Sequence, residues 1–230
     1  AEKIASVVTE NSYHTTAEII SSTSGQSISH GGAWLLVQKL GERISEEETA
    51  RVKEMNATGG SGKKELKLLF EEMDGVWLKM QGKGHKKAPK QEMKVATIYE
   101  GWENDGRSCS KLAGKFLIAG MEKSDEFHAK REARIRSIYN ADEIEVRVLN
   151  GDGGSWIKDP YEPETVFQLD RFHIQQSIKK KIASPEVQKE INRLFEDGNY
   201  DKMFEYISIY ADSVESDDEK DTSSKKAREL

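Results

Sequence analysis

The sequence predicts a mixed α/β protein in which a strand-rich middle lies between helical ends. Three observations predict it. Apolar residues recur at helical spacing up to about residue 55, alternate from about Leu66 onward, and return to helical spacing after Ser184. A glycine-rich stretch, Thr58-Gly59-Gly60-Ser61-Gly62-Lys63-Lys64, separates the first regime from the second. Two short blocks, Glu72-Met73-Asp74-Gly75-Val76-Trp77 and Leu149-Asn150-Gly151-Asp152-Gly153-Gly154-Ser155-Trp156, each put an aspartate at the end of an apolar run, followed by glycine and then tryptophan.

The helical start covers residues 1–57. Its apolar stripes are Ile4, Val7 and Val8, then Ala17, Ile19 and Ile20, then Trp34, Leu35, Val37 and Leu40, with Gly25 breaking the second helix from the third. Thr16 to Leu40 resembles a helix-turn-helix, with Ile28 to Lys39 in the recognition-helix place. Packing against the next domain is the alternative, since Gly31-Gly32 weakens that helix and few of its side chains are basic. Residues 58–65 read as a linker. A phosphate loop is declined there, because the required earlier glycine is Ala57 and the required hydroxyl residue is Lys64.

Residues 66–183 form the strand-rich domain. Leu68-Leu69-Phe70 leads through Met73, Val76 and Leu78 in a first strand carrying Asp74. Met93, Val95, Thr97 and Tyr99 alternate in a second strand, and Leu112 to Met121 makes a third. Ser124-Asp125-Glu126 opens a helix through Tyr139, acidic in its first turn and basic further along, as the helix dipole prefers. Ile144, Val146 and Val148 form a fourth strand ending at Asp152, and Val166 to Leu169 a short fifth. Three strands, a helix, two strands and a helix is the order of an RNase H-like mixed sheet with flanking helices. In that arrangement the first and fourth strands are neighbours, and their ends bring Asp74 and Asp152 together. Residues 184–230 are helical again. Ser184 caps and Pro185 takes the first turn, Asp197-Gly198-Asn199 breaks the helix, and the polar stretch from Ser213 extends as a solvated helix.

Composition bounds the function. No apolar run approaches the roughly 18 residues needed to cross a bilayer, so no membrane partner is expected. The lone Cys109 excludes an internal disulfide framework and a cysteine zinc cage, which fits a reducing cytosol and a cytoplasmic protein. A net charge of −6 argues mildly against nucleic acid, but acid and base are segregated. Bases gather at Lys79, Lys83, His85, Lys86, Lys87 and Lys90, at Lys130, Arg131, Arg134 and Arg136, and at Lys179 to Lys181, whereas the tail from Asp212 is acidic. A basic groove and a set of merely solvated faces both remain open. His14, His30, His85 and His128 read as surface residues. Trp77 and Trp156 read as core or groove-wall residues. The chain opens in mid-helix and closes on an uncapped helical sequence, so both ends are expected to be cuts through a longer protein.

Met73-Asp74-Gly75-Val76-Trp77, Gln91-Glu92-Met93-Lys94-Val95, Asn150-Gly151-Asp152-Gly153-Gly154-Ser155-Trp156 and Gln168-Leu169-Asp170-Arg171-Phe172-His173 resemble the matching blocks of the ISLre-type insertion-sequence transposases. That group has long been catalogued as a family of uncharacterised bacterial proteins, and the similarity runs over essentially the whole chain. The resemblance implies DNA strand cleavage and transfer at transposon ends, with transposon ends and target DNA as partners, a homo-oligomer on DNA, and Mg²⁺ as cofactor with Mn²⁺ as substitute. It makes Asp74 and Asp152 the first two carboxylates of an acidic catalytic triad. The third lies on a helix beyond a helical insertion, expected past Leu230, with residues 184–230 the start of that insertion.

The chemistry asks for these residue types. In-line attack on a phosphodiester builds charge on the nucleophile, the phosphate oxygens and the leaving oxygen, which divalent cations held by a few carboxylates relieve. Asp170-Arg171-Phe172-His173 is the next candidate: Arg171 or His173 could contact phosphate with Asp170 orienting His173, or Asp170 could be only a helix cap. Lys86, Lys87 and Lys90 are the other expected DNA contacts. A non-catalytic DNA-binding remnant and a structure-specific nuclease on the same fold are the alternatives.

Overall fold

The structure, a computed structural model, describes residues 2–80, 88–104, 106, 110–158 and 165–217. It is a mixed α/β protein with a five-stranded mixed sheet and flanking helices. The chain divides into two compact units, Ala1–Lys67 with Ile118–Glu145, and Leu68–Leu117 with Val146–Leu230.

The first unit begins with α1 (Glu2–Val8), α2 (Tyr13–Ser24) and α3 (His30–Thr58). Ser12 caps α2 by accepting from the Thr15 N–H, and Gly25 ends it with φ 68°, a left-handed turn that glycine adopts at no steric cost. Ser29 caps α3 by accepting from the Gly32 N–H. Gly31 and Gly32 therefore fall in the first turn rather than the interior. Ile4, Ile20 and Ala33 form a small core, flanked by Val7, Tyr13, Ile28 and Val37. The expected stripe on the third helix is only partly used. Ala33 and Val37 pack, while Trp34, Leu35 and Leu40, on other sides of the same helical turns, are largely exposed.

The glycine-rich stretch is strapped to α4 (Ser124–Ile138). The Gly62 N–H donates to the carbonyls of Arg136 and Tyr139, the Lys64 N–H to Ile138, and the Asn140 N–H back to Lys64. A Cβ on Gly62 would overlap the Ile138 carbonyl group. Gly62→Ala is therefore expected to lower stability by about 1–3 kcal/mol, read as a fall in the midpoint of thermal unfolding. Within the same unit Lys130 of α4 reaches Glu122 at 3.0 Å and Glu48 of α3 at 3.3 Å. Burial works against the ammonium charge, yet the two carboxylates hold its pKa above the usual lysine range. Arg131 is buried on the same helix, and Arg136 binds Glu132 at 2.8 Å. His128, expected at the surface, is buried on the same helix, one residue from Phe127.

The second unit contains β1 (Leu68–Leu78), β2 (Gln91–Tyr99), β3 (Gly101–Asn104) and β4 (Ser110–Ala113), and β5 (Phe116–Gly120) runs across the boundary between units. Then follow β6 (Val146–Gly151), α5 (Ser155–Lys158), β7 (Thr165–Leu169), α6 (Arg171–Lys181), α7 (Pro185–Glu196) and α8 (Tyr200–Asp217). The strand order is β5-β2-β1-β6-β7, with β1 antiparallel to β2 and parallel to β6, and β6 parallel to β7. The expected third strand, Leu112 to Met121, is two strands. Gly114 turns the chain at φ 59°, so β4 pairs with β3 in a separate hairpin and only β5 joins the main sheet.

Alternation along β1 sorts its side chains cleanly. Leu69, Glu71 and Met73 are buried on one face, while Phe70, Glu72 and Asp74 look out from the other. After the sheet, Ile178, Ile182, Ile191, Leu194, Phe195, Met203, Ile207 and Ala211 form a core joining α6, α7 and α8. Ser184 caps α7 by accepting from Val187, Pro185 takes its first turn, and Gly198 separates it from α8 with φ 68°. Among the described residues no helix is long and apolar enough to cross a membrane.

Candidate metal centre

Strand register builds the site. The last paired residues of β1 and β6 are Met73 and Gly151. Asp74 and Asp152 each follow by one residue on adjacent parallel strands, so the pleat turns both to the same face. Gly151 is needed for that closeness, since a Cβ there would meet Ile157 at 2.8 Å and the Met73 carbonyl oxygen at 3.2 Å. Asp74 Oδ1 accepts from its neighbour Gly75 N–H at 2.7 Å, and Asp152 Oδ1 from Gly154 N–H at 2.8 Å. Gly153, at φ 82°, makes the turn that brings the Gly154 N–H back to the Asp152 carboxylate.

The tryptophan of the second block fixes this turn from the opposite face. Trp156 donates its indole N–H to Glu92 Oε1 at 3.2 Å, and Lys94 lies over its ring at 5.6 Å. A Cβ on Gly75 would collide with the Glu92 carboxylate. The glycine after Asp74 thus leaves room for the clasp on the Asp152 turn, beyond the open approach that the sequence suggested. Trp77 is 62% exposed and forms no part of a core.

The strand after β6 brings in the third partner. The Asp170 N–H donates to the Gly151 carbonyl at 2.9 Å, which ties the start of α6 to the end of β6. Asp170 Oδ1 accepts from the Phe172 N–H at 3.1 Å, and its Oδ2 lies 3.0 Å from His173 Nδ1. One carboxylate therefore caps the helix and orients the histidine at once. Ligand atoms of Asp74, Asp152 and His173 all lie within 4.8 Å of one another. Two carboxylates and an imidazole at such separations can hold one divalent cation with positions left open.

These groups line a cleft of about 600 Å³ along the open face of the sheet. Arg171 lines it too, its guanidinium stacked over Phe195 at 5.4 Å. At its other end Phe70, Tyr99 and Trp102 pack ring against ring at 4.9–5.5 Å. The Tyr99 hydroxyl donates to Glu72 at 2.9 Å, and burial together with that carboxylate pushes its pKa far above the usual tyrosine value.

A family model described as an uncharacterised protein family, UPF0236, matches residues 1–229. The chain belongs to the UPF0236 family. A curated relative from Streptococcus gallolyticus, the UPF0236 protein in the vanSb 3′ region, is 23% identical over 225 residues. The match takes in 94% of this chain and 47% of the relative, so the chain spans about half the relative's length.

In this UPF0236 chain the residues singled out in the sequence are distributed unevenly. Asp74, Asp152, Asp170, Arg171 and His173 converge on the one cleft. Lys90 does not line it; it precedes Gln91, which pairs opposite Leu78, four residues past Asp74 along β1. Lys86 and Lys87 lie outside the described residues. Phe70, Glu72, Tyr99 and Trp102 were missed. The signal for the first two was available, since alternate positions on one strand share a face and Asp74 fixes which face that is.

Proposed function

We propose that this chain carries the two-carboxylate part of an acidic-triad DNA transposase, built on an RNase H-like sheet. The observation that carries the reading is the register of β1 and β6, which sets Asp74 and Asp152 side by side one residue past the last paired position. The strand order, with β1 between an antiparallel β2 and a parallel β6, supports the RNase H-like assignment. The four sequence blocks that resemble ISLre-type transposases support it further, because their aspartates and histidine are the residues that converge.

The two carboxylates suit a hard divalent cation, Mg²⁺ or Mn²⁺. When bound, the cation would relieve charge on the attacked phosphate and on the entering and leaving oxygens. Asp74 and Asp152 would hold it at an open cleft. Arg171, kept in place by Phe195, offers a guanidinium to a phosphate oxygen at the cleft edge. The third carboxylate of the triad is assigned to sequence beyond Leu230, and the working assembly to a homo-oligomer on transposon ends and target DNA.

The test is a strand-transfer assay with a form extended to the relative's length, labelled transposon ends and Mg²⁺. Metal-dependent cleavage at the ends is the expected result. Cutting of branched DNA without any need for ends would favour a structure-specific nuclease, and end binding without cleavage under any metal would favour a non-catalytic DNA-binding remnant.

A further inference from the structure

We propose that His173 is a nitrogen ligand of the metal centre, positioned by Asp170, and that the centre therefore prefers Mn²⁺ over Mg²⁺. The inference rests on the cation-dependent reading above and deepens it. His173 Nδ1 is engaged by Asp170 Oδ2, which leaves Nε2 as the nitrogen available to an ion. Both oxygens of Asp170 are committed, one to the Phe172 N–H and one to the imidazole, and its backbone is tied to Gly151, the residue just before Asp152. The ring is thus oriented from the same strand end that presents Asp152. A carboxylate bonded to one ring nitrogen, with two further carboxylates within 4.8 Å of a nitrogen of the same ring, is the outer-shell arrangement that fixes tautomer and raises ligand basicity at metal sites. The side chain of His173 is one-third exposed, 33%, as a ligand at the floor of an open cleft would be.

The mixed donor set determines the preference. Mg²⁺ favours oxygen donors and keeps its waters, so an imidazole adds little to its binding. A transition ion gains from the nitrogen, and Mn²⁺ accepts both carboxylate and imidazole. Three ligands come from within this chain, so binding of Mn²⁺ needs no third carboxylate.

The experiment titrates the whole 230-residue chain with Mn²⁺, following free Mn²⁺ by electron paramagnetic resonance, and reads ligand nitrogen by spin-echo modulation of the bound ion. One Mn²⁺ per chain with imidazole nitrogen coupling is expected. His173→Asn, which keeps an amide near Nδ1 for Asp170 and removes Nε2, should abolish the coupling and weaken Mn²⁺ by about tenfold or more. Mg²⁺ binding, read by competition, should change by less than about twofold. Asp170→Asn should keep the coupling and weaken Mn²⁺ by about tenfold. Bound Mn²⁺ without nitrogen coupling in the unsubstituted chain, which no misfolded variant can mimic, overturns the proposal, as does unchanged affinity in a folded His173→Asn. Coupling without strand transfer in the extended form would retain His173 as ligand and remove the transposase reading. Transfer without coupling would do the reverse.

Discussion

Asp74→Asn, in a form extended to the relative's length, is expected to reduce strand transfer to about a thousandth or less while leaving transposon-end binding unchanged. The substitution is nearly isosteric and the residue is exposed, so folding has little at stake. An asparagine oxygen can still accept from the Gly75 N–H, as Asp74 Oδ1 does at 2.7 Å. What disappears is the negative charge facing Asp152. Asp152→Asn should behave alike, since its oxygen can still accept from the Gly154 N–H. Gel assays of cleavage and transfer, run beside equilibrium binding to labelled ends, separate the two effects. Transfer at the unsubstituted rate by either variant would overturn the assignment of the pair as metal ligands.

Arg147→Ala is expected to destabilise the protein by about 3–5 kcal/mol, because it removes a cation in contact with a buried carboxylate. Arg147 Nε lies 2.7 Å from Glu71 Oε1, with side-chain exposures of 7% and 1%. The pair occupies the buried face of the two central strands, opposite the face that carries the acidic pair. Glu71→Ala should cost about as much, and the double substitution to methionine should recover most of the loss, since two apolar chains of similar volume need no partner. Urea unfolding midpoints measure all three. A single variant as stable as the original would mean that water or another neighbouring group compensates for the missing partner.

Much of the fold was legible because its signals are local. The helix starts at Ser12, Ser29 and Ser184, the stops at Gly25 and Gly198, and the alternation along β1, β2 and β6 are each written within a few residues. The convergence of Asp74 and Asp152 was legible from element order. The break of the run from Leu112 to Met121 was not, because Gly114 reads as an ordinary small residue until β3 takes β4 away from the sheet. Nor was the exposed stripe on α3, since helical spacing records which residues share a side and not which side a neighbour covers. For Asp170 the capping and orienting readings looked like rivals. They coexist because a carboxylate has two oxygens, and no spacing rule conveys how each will be used. Burial of His128 and Arg131 on α4 likewise depends on how the helix packs, which its own sequence does not record.

The parallel register of β1 and β6 also bears on the order of folding. The β1–β2 hairpin joins segments close in sequence, whereas β6 can dock on β1 only after all the chain between Leu78 and Val146 has been closed into a loop. Such non-local pairing forms late, because its entropy is lost before its contacts are gained. The two aspartates are therefore brought together late, and the cation affinity proposed for them would be acquired in the last steps of the folding reaction. Refolding in the presence of Mn²⁺ should show backbone ellipticity recovering first and ion uptake lagging behind it, which makes the ion a reporter of completed topology.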